Sequence, residues 1–282
     1  MLSRLNIHLQ LIRQSTRLLL NRKSLLVFSV TAFLFMIALF FLTMLPIAKV
    51  EYLAWKTQQV TLQDYFFCLL LLFLFFFLAH LVSLLMNAGL IVCTLNQLRN
   101  RPFSILTGFK EAFAHFPEIF VWNLLMTTVG ILIRALENTV DNWFRQKKVN
   151  DYLAGLTWLT ATLFVLPLIA IENITAINAI KQSALLVKKQ CAGHPFVYRG
   201  VVTTNIVLML ISFIPALIGL IIGGAIAVTT GSAITITCFS IITILFSASQ
   251  TVLITALYAA SKENSASPYY NNALLKQFFQ TD

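Results

Sequence analysis

Tyr65-Phe66-Phe67-Cys68-Leu69-Leu70-Leu71-Leu72-Phe73-Leu74-Phe75-Phe76-Phe77-Leu78-Ala79 is apolar on every side of any helix drawn through it. A helix at the surface of a water-soluble protein keeps a polar face, and this stretch has none. A soluble core would have to cover it all round. The hydrocarbon layer of a bilayer, about 30 Å thick and crossed by about 20 apolar residues, covers it without further structure.

The rest of the chain extends that reading. Of its 282 residues 59% are apolar and 11% charged, and the mean hydropathy is +0.84. Ordinary soluble domains carry about 25% charged residues. Six segments are long and apolar enough to span: Leu25–Ile47, Tyr65–Leu95, Pro117–Leu136, Leu153–Asn173, Gly200–Val228 and Ser232–Ser261. They leave no room for a soluble domain, so residues 1–282 read as a single membrane domain with a tail over 262–282. The first segment is too long for a signal-peptide core, and no A-x-A-like site follows it. The class is all-α and polytopic.

Three short amphipathic stretches, over about 5–20, 104–116 and 175–190, each precede a pair of these segments. Ile12-Arg13-Gln14-Ser15, Phe109-Lys110-Glu111-Ala112 and Ile180-Lys181-Gln182-Ser183 take equivalent places in them. Apolar residues recur at steps of three and four, the helical signature, with the cations on the opposite face. Short basic amphipathic helices beside spans commonly lie in the headgroup plane. The pattern is one unit, helix then hairpin, used three times in the same orientation. Convergence of any linker between two spans is the plainer account, but the constant distance to the next span favours true repetition.

Six spans put both termini on one side. The opposite side holds only Lys49, Lys56, Arg134, Arg145, Lys147 and Lys148 of the 20 basic residues. Lysine and arginine accumulate on the cytoplasmic side, which places the termini in the cytoplasm and the protein in the cytoplasmic (inner) membrane. The net charge of +10 is thus first a sign of topology. It also suits anionic lipid headgroups as partners. No basic, aromatic-interleaved domain points to nucleic acid.

The arrangement resembles a family of uncharacterised six-span prokaryotic integral membrane proteins. The resemblance runs from Leu11-Ile12-Arg13-Gln14-Ser15, Leu18 and Asn21-Arg22-Lys23 through Asn87-Ala88-Gly89 and Gly108-Phe109-Lys110-Glu111-Ala112-Phe113. It is most specific from Trp158 through Ala161-Thr162-Leu163-Phe164-Val165-Leu166-Pro167 to Glu172 and Ala179-Ile180-Lys181-Gln182-Ser183. It implies topology and carries no activity.

Polar residues inside the spans are the candidates for function. His80, Ser83 and Asn87 share a face of the second span, and Ser240, Thr243, Ser247 and Gln250 share a face of the sixth. Together they would wall a polar path. The plainer alternative is an interhelical hydrogen-bond seam. The second span poses a length problem: straight from Tyr65 to Leu95 it would reach roughly 46 Å at 1.5 Å per residue. It must tilt, protrude, or break near Asn87-Gly89.

In the fifth span Gly219 and Gly223 have the spacing of a close-packing face, either within the hairpin or toward a second copy as a homo-oligomer. The Thr229-Thr230-Gly231 stretch reads as the turn that follows, and Pro167 and Pro215 as kinks in the fourth and fifth spans. Lys110, Glu172 and Lys181 would form a cytoplasmic-face site, if Glu172 does not simply complement the third amphipathic helix at its N-terminus, with Asn173 or Thr175 as its cap. His115 and His194 are too few ligands for a metal, the four cysteines lack metal spacing, and no cofactor is implied. With no catalytic motif, the chain is expected not to be an enzyme. A membrane scaffold, assembly or lipid-interacting protein is the leading reading, and a permease for lipids or small molecules with a path along spans two and six is the alternative.

Overall fold

The computed structural model describes residues 2–57, 61–128, 161–190, 207, 209–263 and 269–270, and among them there is no strand. Helix α1 covers Leu2–Asn21. It buries Leu11, Ser15, Leu18 and Leu19 and exposes Gln10, Arg13 and Arg17, the division its sequence period predicts. Arg22 leaves the helical region (φ −127, ψ 69), and a single 3₁₀ turn, Lys23–Leu25, leads into α2, Leu26–Thr57.

Helix α3, Leu62–Leu98, opens on a capping box. Thr61 Oγ1 accepts from Asp64 N, while Asp64 Oδ2 accepts from Thr61 N at 3.0 Å. Such reciprocal bonds satisfy two amide donors that a helix start leaves over. The helix runs unbroken through Asn87–Gly89, so of the solutions to its length, breakage is not the one used. Its 37 residues measure roughly 55 Å at 1.5 Å rise per residue. Asn100, at φ 53, turns the chain into α4, Ile105–Ala114. Helix α5 follows over 116–128, α6 over Val165–Glu172 and α7 over Ala176–Gln190.

The last hairpin differs from its expected form. Helix α8 is Ile214–Ile222, and α9 is one continuous helix over Ala225–Glu263. The turn lies at Gly223 and Gly224, with φ 74 and 83, a conformation that costs glycine nothing and a β-carbon dearly. Thr229-Thr230-Gly231 sits inside α9. There Thr229 and Thr230 donate to Ile226 O at 3.1 and 2.8 Å, so their hydroxyls need no loop. Pro167 and Pro215 stand in the first turns of α6 and α8, where a missing N–H breaks no bond. Pro167 starts α6, whereas Pro215 follows a break at Phe213 within the apolar stretch Met209–Ile222, the interruption expected of a proline there.

The apolar pattern is inverted relative to a soluble protein. In α3, Tyr65–Leu78 is largely exposed and so is His80, whereas the second half, where Ser83, Asn87, Thr94 and Gln97 fall, is packed against the core. Three helices are long and apolar enough to cross a membrane, over Lys23–Thr57, Leu62–Leu98 and Ile226–Lys262, with a shorter apolar helix at Met209–Ile222. The expected third and fourth spans are described only over 116–128 and 161–172; Arg134 and the stretch to Thr160 lie outside the described residues.

Three contacts are alike: α4 packs on α3, α7 on α6, and α1 on α9. The residue two places after the equivalent cation is small and buried in each, with Ser15 0%, Ala112 1% and Ser183 0% exposed. At the α3–α4 contact a β-carbon on Gly108 would lie 2.6 Å from both Cys93 Sγ and Phe28 Cζ and 3.1 Å from Gly89 O. The α8–α9 hairpin is as close, because a β-carbon on Gly231 would stand 2.6 Å from Pro215 O. That oxygen is backbone and cannot rotate away. Gly231→Ala should therefore part the hairpin and cost about 1–3 kcal/mol, the range for overpacking. Thermal unfolding of the purified protein checks this, and an unchanged melting temperature would show that the hairpin is looser than described.

Candidate functional site

Polar side chains gather on the packed halves of α3 and α9 and at the ends of the helices that meet them. Of the second-span candidates, Asn87 meets α9: Thr251 Oγ1 lies 3.2 Å from Asn87 Oδ1 and 3.1 Å from Ser247 O. Ser83 sits one turn away, with its Oγ 3.5 Å from Asn87 Nδ2. His80 does not join this group. Its Nδ1 lies 2.5 Å from Asn123 Oδ1 on α5, and Asn123 Nδ2 donates to Phe77 O at 3.2 Å. Asn123 is wholly buried, and both ends of its amide are used. An edge-to-face contact of Phe77 with Phe120, centroids 5.7 Å apart, flanks the pair.

The sixth-span candidates spend their hydroxyls locally. Ser240 donates to Ile236 O at 2.7 Å and Thr243 to Phe239 O at 2.8 Å, the back-bonding that lets hydroxyls sit in an apolar helix. Gln250 is half-buried on the same helix. Asn87, Ser83 and Thr251 thus form a seam between α3 and α9, and Ser240 and Thr243 are bonded along their own helix.

Glu172 does not meet Lys110 or Lys181. Its Oε1 accepts from Tyr258 OH and Lys262 Nζ, which stand one turn apart on α9. Lys110 and Lys181 are exposed on the outer faces of α4 and α7. The expected three-residue site is corrected to Glu172, Tyr258 and Lys262, because α9 passes the end of α6 where the lysines face away. The start of α7 is held by Glu118 of α5, whose Oε2 accepts from Ala176 N at 2.7 Å, a carboxylate at the positive end of a helix. Asn173, at φ 54, terminates α6.

The glycine pair also divides. Gly219 is a packing position, where a β-carbon would lie 2.5 Å from Ala227 O, but Gly223 is the turn residue and has open space around it. Gly219 and Gly231 share the close approach instead.

Two tyrosines near the end of the chain complete the polar contacts. Gln97 Nε2 donates to Tyr269 OH at 2.5 Å. Ser15 Oγ donates to Leu11 O at 3.0 Å, so in the 2.6 Å contact with Tyr270 OH the tyrosine is the donor. Burial pushes the Tyr270 phenol well above its usual range, against the smaller opposing effect of the Ser15 hydrogen bond. Among the described residues no three His, Cys, Asp or Glu side chains gather as a metal site. His115 Nε2 stands 3.9 Å from Glu111 Oε2, and His194 lies outside the described residues.

Asn123 escaped the sequence reading although it carries the same signal as Asn87, a lone amide in an apolar segment. Tyr258 and Lys262 gave a weaker one, and Tyr270 gave none. The arrangement holds helices together.

The fold and its contacts define an all-helical protein with helices that can cross a membrane and polar residues spent on helix joints. The chain belongs to a family of unknown function (DUF6159), whose profile matches residues 66–269, from α3 to the first of the two tyrosines. No curated protein and no solved structure matches it. The resemblance to an uncharacterised family therefore holds, over a stretch that omits α1 and α2.

Asn123→Leu would remove the partner of the exposed His80 ring and the second donor at Phe77 O, which keeps its helical bond within α3. Each such hydrogen bond contributes about 0.5–1.5 kcal/mol, so the variant should unfold at a lower temperature, and His80→Leu added to it should cost little more. Equal melting of the single variant and the parent would contradict the role given to Asn123.

Proposed function

We propose that the chain is a multi-pass protein of the cytoplasmic membrane, with six spans and both termini in the cytoplasm, that works as a lipid-interacting scaffold and not as an enzyme. The observation that carries this reading lies on α4 and α7. After burying their small-residue faces, these helices still expose Leu106 (77%) and Ile177 (58%), each one turn before an exposed lysine, Lys110 and Lys181. Leu106 and Ile177 occupy equivalent positions in the repeat.

Apolar surface left in water forgoes about 25 cal/mol for each Å² that burial would remove. At the edge of a bilayer the apolar group enters the acyl region and the lysine reaches the headgroups. Phe113 and Leu185 are exposed on the same two helices and extend the apolar surface. Exposed Arg13 and Arg17 on α1 add cations at the matching place in the first unit. Anionic lipids are the partners such a surface suits, at about 1 kcal/mol per basic residue near the surface.

Nitroxides placed one at a time at residues 106, 177, 110 and 181, in a cysteine-free protein in lipid nanodiscs, test this. Collision with oxygen should dominate at 106 and 177, and collision with a water-soluble nickel chelate at 110 and 181. Nickel-dominated relaxation at all four would place α4 and α7 in water and sink the reading.

The permease alternative draws support from one feature, the partly exposed Ser83, Asn87, Ser247 and Gln250 on the facing sides of α3 and α9. Cysteines at these positions that react with a membrane-impermeant thiol reagent would favour a water-filled path. Blocked labelling throughout is expected if the residues serve only as a joint.

A further inference from the structure

Two of the three joints between units are reinforced by the chain itself. The α3–α4 joint is tied by residues 99–104 and the α6–α7 joint by residues 173–175. The third, α1 on α9, brings together opposite ends of the chain with no covalent link between them. It rests on apolar packing of Leu11, Leu18 and Leu19 in the core that also holds Ala248, Val252 and Leu253, and on Thr16 Oγ1 set 2.9 Å from Ser249 Oγ.

The buried small residue of each amphipathic helix shows how this joint is completed. Ser183 of α7 donates to Ala161 O at 2.6 Å and accepts from Phe164 N at 3.0 Å, both backbone groups of the unit just before it. Ser15 of α1 takes its contact from a side chain instead. The hydroxyl of Tyr270, 2.6 Å away and almost fully buried, fills that place. Its neighbour Tyr269 binds α3 through Gln97 at 2.5 Å. The pair of tyrosines therefore touches the first and last helices of the first unit at once.

We propose that Tyr269-Tyr270 is a strap that holds α1 in place on α9, and that its release frees α1 while the α3–α9 seam and the other two joints stay shut. Arg22, outside the helical region, and the 3₁₀ turn Lys23–Leu25 provide the point about which α1 swings. Release would uncover the apolar stripe of α1 and the buried face of α9 together. The strap is thus the position from which a change at the end of the chain reaches the helix at its start.

Hydrogen–deuterium exchange of the full chain in nanodiscs tests the strap, with Tyr270→Ala, Tyr270→Phe and Ser15→Ala compared with the parent. Tyr270→Ala should raise exchange in α1 peptides at least tenfold and leave α4 and α7 peptides unchanged. Tyr270→Phe keeps the ring and removes only the hydroxyl, so about a 2–10-fold rise confined to α1 is expected, the factor that one hydrogen bond supplies; Ser15→Ala, which leaves the buried tyrosine hydroxyl without its partner, should raise exchange at least as much. Unchanged exchange in α1 of Tyr270→Ala overturns the proposal. So does a rise of equal size in α1, α4 and α7, since Tyr270 would then stabilise the whole fold and strap nothing in particular.

Discussion

Backbone-close docking of an amphipathic helix on a long helix is the contact on which the rest of this structure depends. Hydrocarbon surrounds apolar side chains as well as protein does, so helices that cross a membrane gain little by burying leucine against leucine. What draws them together is van der Waals contact at short range and polar groups that need partners. Ser15, Ala112 and Ser183 meet the first requirement at one repeated position, and the Gly89–Gly108 approach with Phe28 against it shows how little space remains. Because α4 and α7 follow directly on the helices they dock against, their joints form locally. The α1–α9 joint must be assembled after the whole chain is present.

The second requirement explains where the polar residues fall. An amide or hydroxyl inside an apolar helix costs several kcal/mol if left alone, and apart from the buried hydroxyls of Ser29 and Thr94, which have no partner, those of the packed halves bond either to their own helix or to a neighbour. Ser240 and Thr243 take the first course, and Asn87, His80 and Asn123 the second. Glu172 with Lys262 and Tyr258 ties the end of the second unit to the third. Half-exposed ion pairs of this kind contribute modestly, up to about 1 kcal/mol, and their value here is in fixing which helices meet. The first half of α3, Phe66–Leu78, is made of phenylalanine, leucine and one cysteine, holds no such group, and stays largely exposed.

Much of this was legible in the sequence where the signal is local. The period of three and four residues located α1, α4 and α7, and the uniform apolar run over Tyr65–Ala79 located α3. Local signals failed where two readings share one composition. Gly219-x-x-x-Gly223 and Thr229-Thr230-Gly231 each contain residues used both in turns and in helix packing. Only the paired positive φ angles at Gly223 and Gly224 decide that the turn comes first. The partner of Glu172 lies 90 positions along the chain, and the partner of Ser15 lies 255 along. No period or spacing reports contacts at that range. The cations Lys110 and Lys181 drew attention as a site with Glu172 because they repeat, yet the repeat fixes their outward face.

Docking of α1 on α9, two helices far apart in the chain, is the central claim of this account. A disulfide tests it directly, since Thr16 Oγ1 and Ser249 Oγ are 2.9 Å apart and cysteines in their places fall within reach of the geometry a disulfide needs. With Thr16→Cys and Ser249→Cys in an otherwise cysteine-free chain, mild oxidation in the membrane should give a rapid cross-link within one monomer. No cross-link, or cross-linking only between two chains, would contradict it.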